Sequence, residues 1–167
     1  MKHVKSVLLL AMIMVSMAHT TRDAKISEGL TPGSRMPEIH LQQFSLAGKY
    51  TLLQFWAAYD ATSRAGNVLI ANRLAKMPFE NVRMVSVSFD ENVSVFNETV
   101  KVDNLPPSTL LFNDLLGRKS EIFRNYRLAK GFTNLLIDPH GVILAVNISP
   151  DKLRDILETI EALKIRG

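Results

Sequence analysis

Tyr59-Asp60-Ala61-Thr62-Ser63-Arg64 gathers a phenol, a carboxylate, hydroxyls and a guanidinium in one short stretch. An apolar strand pattern ends just before it and a helical pattern begins within it. A hydroxyl nucleophile at Ser63 or Thr62, with Asp60 as orienting carboxylate, would need a histidine as base. The histidines beyond the N-terminal segment are His19, His40 and His140, in a polar leader, a strand pattern and a turn. Ser63 also lacks the Gly-x-Ser-x-Gly elbow that exposes a nucleophilic serine. Thiol chemistry is excluded because the chain has no cysteine. Metal chemistry lacks ligands at useful spacing, since Asp90-Glu91 reads as a solvated acidic loop and Asp138-Pro139-His140-Gly141 lacks the spacing of a calcium loop. No glycine-rich phosphate loop is present. The expectation is therefore no catalytic residue, no metal and no cofactor. Asp60 fits a simpler task, capping a helix by accepting an N–H from Thr62 or Ser63, with its charge facing the positive helix end. A second reading makes Asp60, Thr62, Ser63 and Arg64 a polar recognition edge with Tyr59 and Trp56 as aromatic neighbours.

The elements around this edge follow from periodicity. Tyr50 to Trp56 is almost continuously apolar, as in a central strand covered on both faces. After Asp60, Ile70, Leu74 and Met77 recur at helical spacing beside Ala71 and Ala75, with Asn67, Asn72, Arg73 and Lys76 set on the solvent side. Pro78 stops that helix. Val82 to Phe89 alternates and is β-branched, which predicts a second core strand. Residues 93–103 suit a short helix, and Pro106-Pro107 forces an extended or turn segment. The stretch 115–126 is ambiguous, with room for a short helix. Phe132 to Ile137, the turn at 138–141 and Val142 to Ile148 read as a hairpin. Ser149 and Pro150 predict the start of a last helix, with Leu153, Ile156, Leu157, Ile160 and Leu163 on one face. Upstream, Glu38-Ile39-His40-Leu41 alternates like a half-buried strand.

The first residues are set aside from the fold. Lys2, His3 and Lys5 precede an apolar run from Val7 to Met17, and Ser16-Met17-Ala18 offers the small residues that signal peptidase accepts. Residues 1–18 thus read as a signal peptide, 19–31 as a flexible leader and 32–167 as one domain. The apolar run is short for a spanning helix, with an uncleaved N-terminal anchor as the alternative. Either way the chain is expected to be exported, to a periplasm or outside the cell. The signal carries two of the 20 Lys+Arg and none of the 16 Asp+Glu, which leaves the remainder at a net +2. That is too mild to argue for nucleic acid. Sequons at Asn92, Asn97 and Asn147 matter only in a eukaryotic secretory pathway.

Gly33…Pro37, then Gly48-Lys49-Tyr50-Thr51-Leu52-Leu53-Gln54-Phe55-Trp56-Ala57, and later Tyr126…Gly131-Phe132-Thr133…Asp138-Pro139-His140-Gly141, resemble the TlpA/ResA-like branch of the thioredoxin superfamily in order and spacing. The resemblance spans roughly residues 30–163. It implies an α/β fold, a three-layer α/β/α sandwich around a central mixed sheet. It also implies what has been lost. Tyr59 stands where relatives hold a tryptophan, Asp60 and Ser63 where they hold the two cysteines, and Arg64 where they hold an arginine. Thr133 occupies the place of a cis-proline, and because a cis bond before a non-proline costs about 3 kcal/mol, a trans bond is expected. Thiol exchange needs an attacking thiolate and a resolving thiol, and neither remains. The resemblance thus points to a non-redox protein- or peptide-binding or structural module, with Tyr59, Asp60, Ala61, Thr62, Ser63, Arg64, Phe132 and Thr133 as its rim. The alternatives are an accessory docking subunit beside a redox-active partner, or a non-redox enzyme using Asp60 or Ser63.

Overall fold

A computed structural model describes residues 30–41, 45–46 and 48–164. The expected signal and most of the leader lie outside the described residues. Strands β1 (Tyr50–Trp56), β2 (Val82–Ser88), β3 (Thr109–Asn113), β4 (Asn134–Ile137) and β5 (Ile143–Val146) form one sheet in the order β3-β2-β1-β4-β5. The first three are parallel, while β4 and β5 each run antiparallel to the neighbour before them. Helices α1 (Ala61–Leu74), α2 (Val93–Asp103), α3 (Glu121–Asn125) and α4 (Leu153–Lys164) cover it, with short 3-10 turns at Gly117–Lys119 and Leu128–Lys130. This is the mixed α/β sandwich that the resemblance implies.

The chain steps in one direction from β1 to β2 to β3, so right-handed crossovers set α1 and α2 on the same sheet face. Leu52, Ile70, Leu74, Met84, Leu153 and Leu157 form the core there. The opposite core holds Leu53, Phe55, Val87, Phe89, Phe123, Tyr126 and Ile137, under α3 and the N-terminal segment. Strand β1 feeds both cores, which is why its run is apolar apart from Thr51 and Gln54. Among the described residues, no helix is long and apolar enough to cross a membrane.

The structure departs from the sequence reading in four places. Glu38–Leu41 forms no strand beyond a single bridge residue at Leu41: upstream, Met36 N–H donates to Gly141 O and Ile143 N–H to Ser34 O around the Arg35–Val142 bridge. Pro37 then has no N–H with which to extend it. The segment 109–113, to which the sequence assigned no element, is the edge strand β3; it is short and lacks clean alternation. Ser149 and Pro150 close a turn through Lys152 N–H to Ser149 O, and α4 begins at Leu153 instead. A Ser-Pro pair serves either purpose, because proline also fits the second position of a type I turn. Of the expected apolar face, Leu153 and Leu157 are buried, and the side chain of Leu163 lies outside the described residues.

The fourth correction is Asn67. It is not on the solvent side but fully buried, at 0% exposure, and its Oδ1 accepts from Ser86 Oγ at 2.8 Å. Its Nδ2 has no partner. The stripe that α1 buries is Ser63, Asn67, Ile70, Ala71 and Leu74, two of the five polar. Beneath it Ser86, Gln54 and Asn134 lie side by side across β2, β1 and β4. Asn134 Nδ2 donates to Gln54 Oε1 and to Ile148 O, while Ile148 N–H donates to Asn134 Oδ1. Removing one partner of a buried pair strands the other. Asn67→Ala and Ser86→Ala are each expected to cost about 1–3 kcal/mol, whereas Asn67→Leu with Ser86→Ala should come out near neutral. A double-mutant cycle by chemical denaturation measures the difference.

Tyr126 anchors the other face, donating from its hydroxyl to Pro37 O at 2.7 Å. Burial raises its phenol pKa above the ordinary value near 10. Folding thus favours the neutral phenol. The stability this contributes is fully present below about pH 10 and falls as pH rises further, because the unfolded chain then releases a proton that the folded chain retains. Thermal unfolding across this window should show an alkaline loss that is smaller in Tyr126→Phe, which itself costs about 1 kcal/mol at neutral pH.

Candidate functional site

The carboxyl ends of β1, β2 and β3 emerge at one edge of the sheet, the edge where open α/β folds place ligands. After Trp56 the chain turns through Ala57–Asp60 into α1. Asp60 has extended backbone, and its Oδ1 accepts from Ser63 N–H at 2.8 Å, the capping bond expected from Thr62 or Ser63. Ser63 is buried. Its hydroxyl donates to Asp60 O at 3.1 Å and accepts from Ala57 N–H at 3.4 Å. Arg64 Nε and Nη2 donate to the Asp103 carboxylate at 3.0 and 2.5 Å, which ties α1 to the end of α2. That bond raises the guanidinium pKa still further. Ala61 and Thr62 are exposed. The motif's carboxylate, buried hydroxyl and guanidinium are thus already engaged inside the protein.

The loop before α1 is held from below by a residue that sequence reading misjudged. Asp90 is not a solvated loop acid; it is 3% exposed. Its carboxylate accepts from Ala58 N–H, 3.0 Å to either oxygen, and from Ser88 Oγ at 2.7 Å. The signal was present, because Ser86, Ser88 and Asp90 alternate with Val85, Val87 and Phe89 and so continue one polar face. Glu91 next to it is exposed, as expected.

Tyr59 crowns the loop at 57% exposure. Its ring centroid lies 6.2 Å from that of Phe132, and the Arg118 guanidinium carbon stands 5.9 Å from the same ring, in cation–π range. Phe132 in turn stacks on Phe89 at 6.0 Å and meets Phe123 edge-on at 6.1 Å. Beside Tyr59 opens a cavity of about 610 Å³, walled by Ala58, Asp90, Glu91, Asn92, Val95 and Arg118. Asp60 is not among its walls. Gly117 packs behind the Glu91 wall: its φ of +54° is left-handed, and a Cβ there would sit 2.5 Å from Glu91 Cγ. Arg118 and Val95 were invisible as site residues, one in the ambiguous stretch and the other in a helix read only for its periodicity.

Thr133 faces this loop across β1. Its carbonyl accepts from Phe55 N–H at 3.1 Å and its hydroxyl donates to Asn147 Oδ1 at 2.5 Å. Among the described residues no peptide bond is cis, so Thr133 sits on the trans bond expected of it. The sequence-expected residues therefore divide. Tyr59 and Phe132 meet at the surface, Asp60, Ser63 and Arg64 build the helix start, and Thr133 braces the strand. His140 lies in the β4–β5 turn, at the far end of β1 and about 20 Å away along a strand of this length. His40 pairs with Glu38 in the exposed segment at that same end, 3.5 Å apart. The geometry brings neither histidine to Ser63. Among the described residues no three His, Asp or Glu side chains converge as metal ligands would.

No protein-family model and no curated protein matches the chain. Solved structures do. A thioredoxin-like protein from Parabacteroides distasonis is 47% identical, with a TM-score of 0.71, and the match covers 78% of this chain and 96% of that one. A thiol-disulfide oxidoreductase from Bacteroides fragilis is 28% identical over 67% of this chain and 81% of its own, with a TM-score of 0.56. A secreted disulfide oxidoreductase from Mycobacterium tuberculosis, 21% identical with a TM-score of 0.55 over 68% of this chain and 84% of its own, agrees in fold. With this topology and this match, the chain belongs to the thioredoxin-like family, and it is a member without cysteine.

Proposed function

We propose that this is an exported thioredoxin-like protein without thiol redox activity that binds a protein or peptide at the rim of its former active site. The rim comprises Tyr59, Asp60, Ala61, Thr62, Ser63, Arg64, Phe132 and Thr133. One observation carries the reading: Tyr59 is more than half exposed although its ring is held between Phe132 and Arg118 beside an open cavity. A fixed, exposed aromatic loses little entropy on binding and contributes a large contact area. Asp60, Ser63 and Arg64 act by holding that platform, through the cap and the bond to Asp103. The oxidoreductase activity named for the Bacteroides and Mycobacterium proteins needs sulfur, and this chain supplies none. The basic, apolar N-terminus and the secreted Mycobacterium relative support export.

The test is capture from a native envelope fraction, comparing the wild type with a Tyr59→Ala, Asp60→Ala variant, then reconstitution with the purified partner. A partner held directly by the wild type and lost by the variant supports the rim. Equal capture moves the interface elsewhere, and no partner with either protein sinks the reading.

A further inference from the structure

The layer over the second sheet face carries an uneven share of charge. Between residues 118 and 130 stand Arg118, Lys119, Arg124, Arg127 and Lys130 against Glu121 alone, a net +4 that equals the charge of all 167 residues. The layer turns Ser120, Phe123, Tyr126 and Leu128 inward at near three-residue spacing, and all five cations lie on its exposed side. At its leading edge Leu115 and Leu116 are 53% and 62% exposed, on the turn that precedes Arg118 and Lys119. Adjacent leucines that far out of the core mark a contact site more often than chance.

We propose that this face docks the protein peripherally on an anionic lipid surface, with Leu115 and Leu116 entering the interface and the five cations lying over the headgroups. Charge complementarity calls for an anionic occupant. The leucines decide which one, because a lipid interface buries apolar side chains beside its charges and a soluble acidic chain does not. The five cations are also spread along the layer and share no single cavity, since Arg118 walls the one beside Tyr59 and Arg127 and Lys130 line another, as suits a broad surface. Weak apolar insertion and a basic patch are each insufficient alone, and paired they give stable attachment. The face meets the Tyr59 rim at Arg118, which lies against the Tyr59 ring, while Lys119, Arg124, Arg127 and Lys130 lie outside that rim, so the inference does not rest on the rim binding a partner.

The test uses residues 30–164, which exclude the apolar N-terminus. That span holds every described element, and the crystallised Parabacteroides relative is 96% covered by 78% of this chain, so it is a folding unit. It should sediment with phosphatidylglycerol-rich vesicles, not with pure phosphatidylcholine, and release as salt rises. Lys119→Ser with Lys130→Ser should weaken binding about 25-fold, near fivefold for each cation, at an unchanged melting temperature. Leu115→Ser with Leu116→Ser should weaken it while keeping the salt dependence. Absence of sedimentation, or affinity unchanged on loss of both lysines, overturns the proposal. Binding of soluble polyglutamate without vesicle binding also overturns it, and makes the face a dock for acidic protein.

Discussion

Asp90→Ala is expected to lower the unfolding free energy by about 3 kcal/mol, read as a shift of the denaturant midpoint with an unchanged slope. The size follows from what the carboxylate holds. Ala58 N–H and Ser88 Oγ both point at Asp90, which is almost fully buried; the buried Ser88 hydroxyl has no water to fall back on when the acceptor disappears, whereas Ala58 is half-buried beside the open cavity. Hydrogen bonds to a charged acceptor are worth more than neutral ones, and a stranded donor adds its own desolvation cost. Asp90→Asn keeps one acceptor and puts a donor where the second oxygen was, so about half the loss is expected. The variant also speaks to function, because Ala58 adjoins Tyr59. Faster hydrogen exchange at the Ala58 amide in Asp90→Ala would show the platform loosening along with the stability loss. A cost below about 1 kcal/mol would mean that other contacts fix the loop and that Asp90 is incidental to it.

Asp90 also illustrates what the sequence discloses. The scaffold was legible because it rests on long, regular signals: the apolar run of β1, the alternation of β2, and a capping aspartate in register with α1. Polar residues inside the core were misread for one reason. Periodicity sorts residues by polarity, and it assigns Asn67 and Asp90 to solvent unless their partners are known. Those partners, Ser86 and Ala58, lie on other elements, so only the assembled sheet reveals them. Thr109–Asn113 was missed because an edge strand is half-exposed and needs no alternation to pair with β2. In the candidate site, Tyr59 and Phe132 were named from the sequence, but Arg118 joins them through a turn that no local pattern predicts.

Restoring sulfur tests how much of the ancestral chemistry the scaffold still supports. Asp60→Cys with Ser63→Cys is expected to form an intramolecular disulfide in air, seen as loss of two hydrogens by mass and as alkylation only after reduction. The positions stand at the N-cap and in the first turn of α1, three residues apart, where Ser63 N–H already reaches the side chain at position 60. A thiolate there would accept the same N–H and face the positive helix end, so its alkylation profile should have a midpoint near pH 7, below the ordinary value of about 8.5. The reduced form should lose about 1 kcal/mol of stability, the usual cost of removing an aspartate cap. Reduction of a protein disulfide should nevertheless stay poor. Thr133 on its trans bond donates its hydroxyl to Asn147 and gives its carbonyl to Phe55, and so offers no proline platform to an extended substrate. An ordinary thiol pKa and no disulfide would mean that the first turn itself has drifted. A perturbed thiol without turnover would locate the loss in the substrate platform, leaving the helix start as the part of the old site that packing alone has kept.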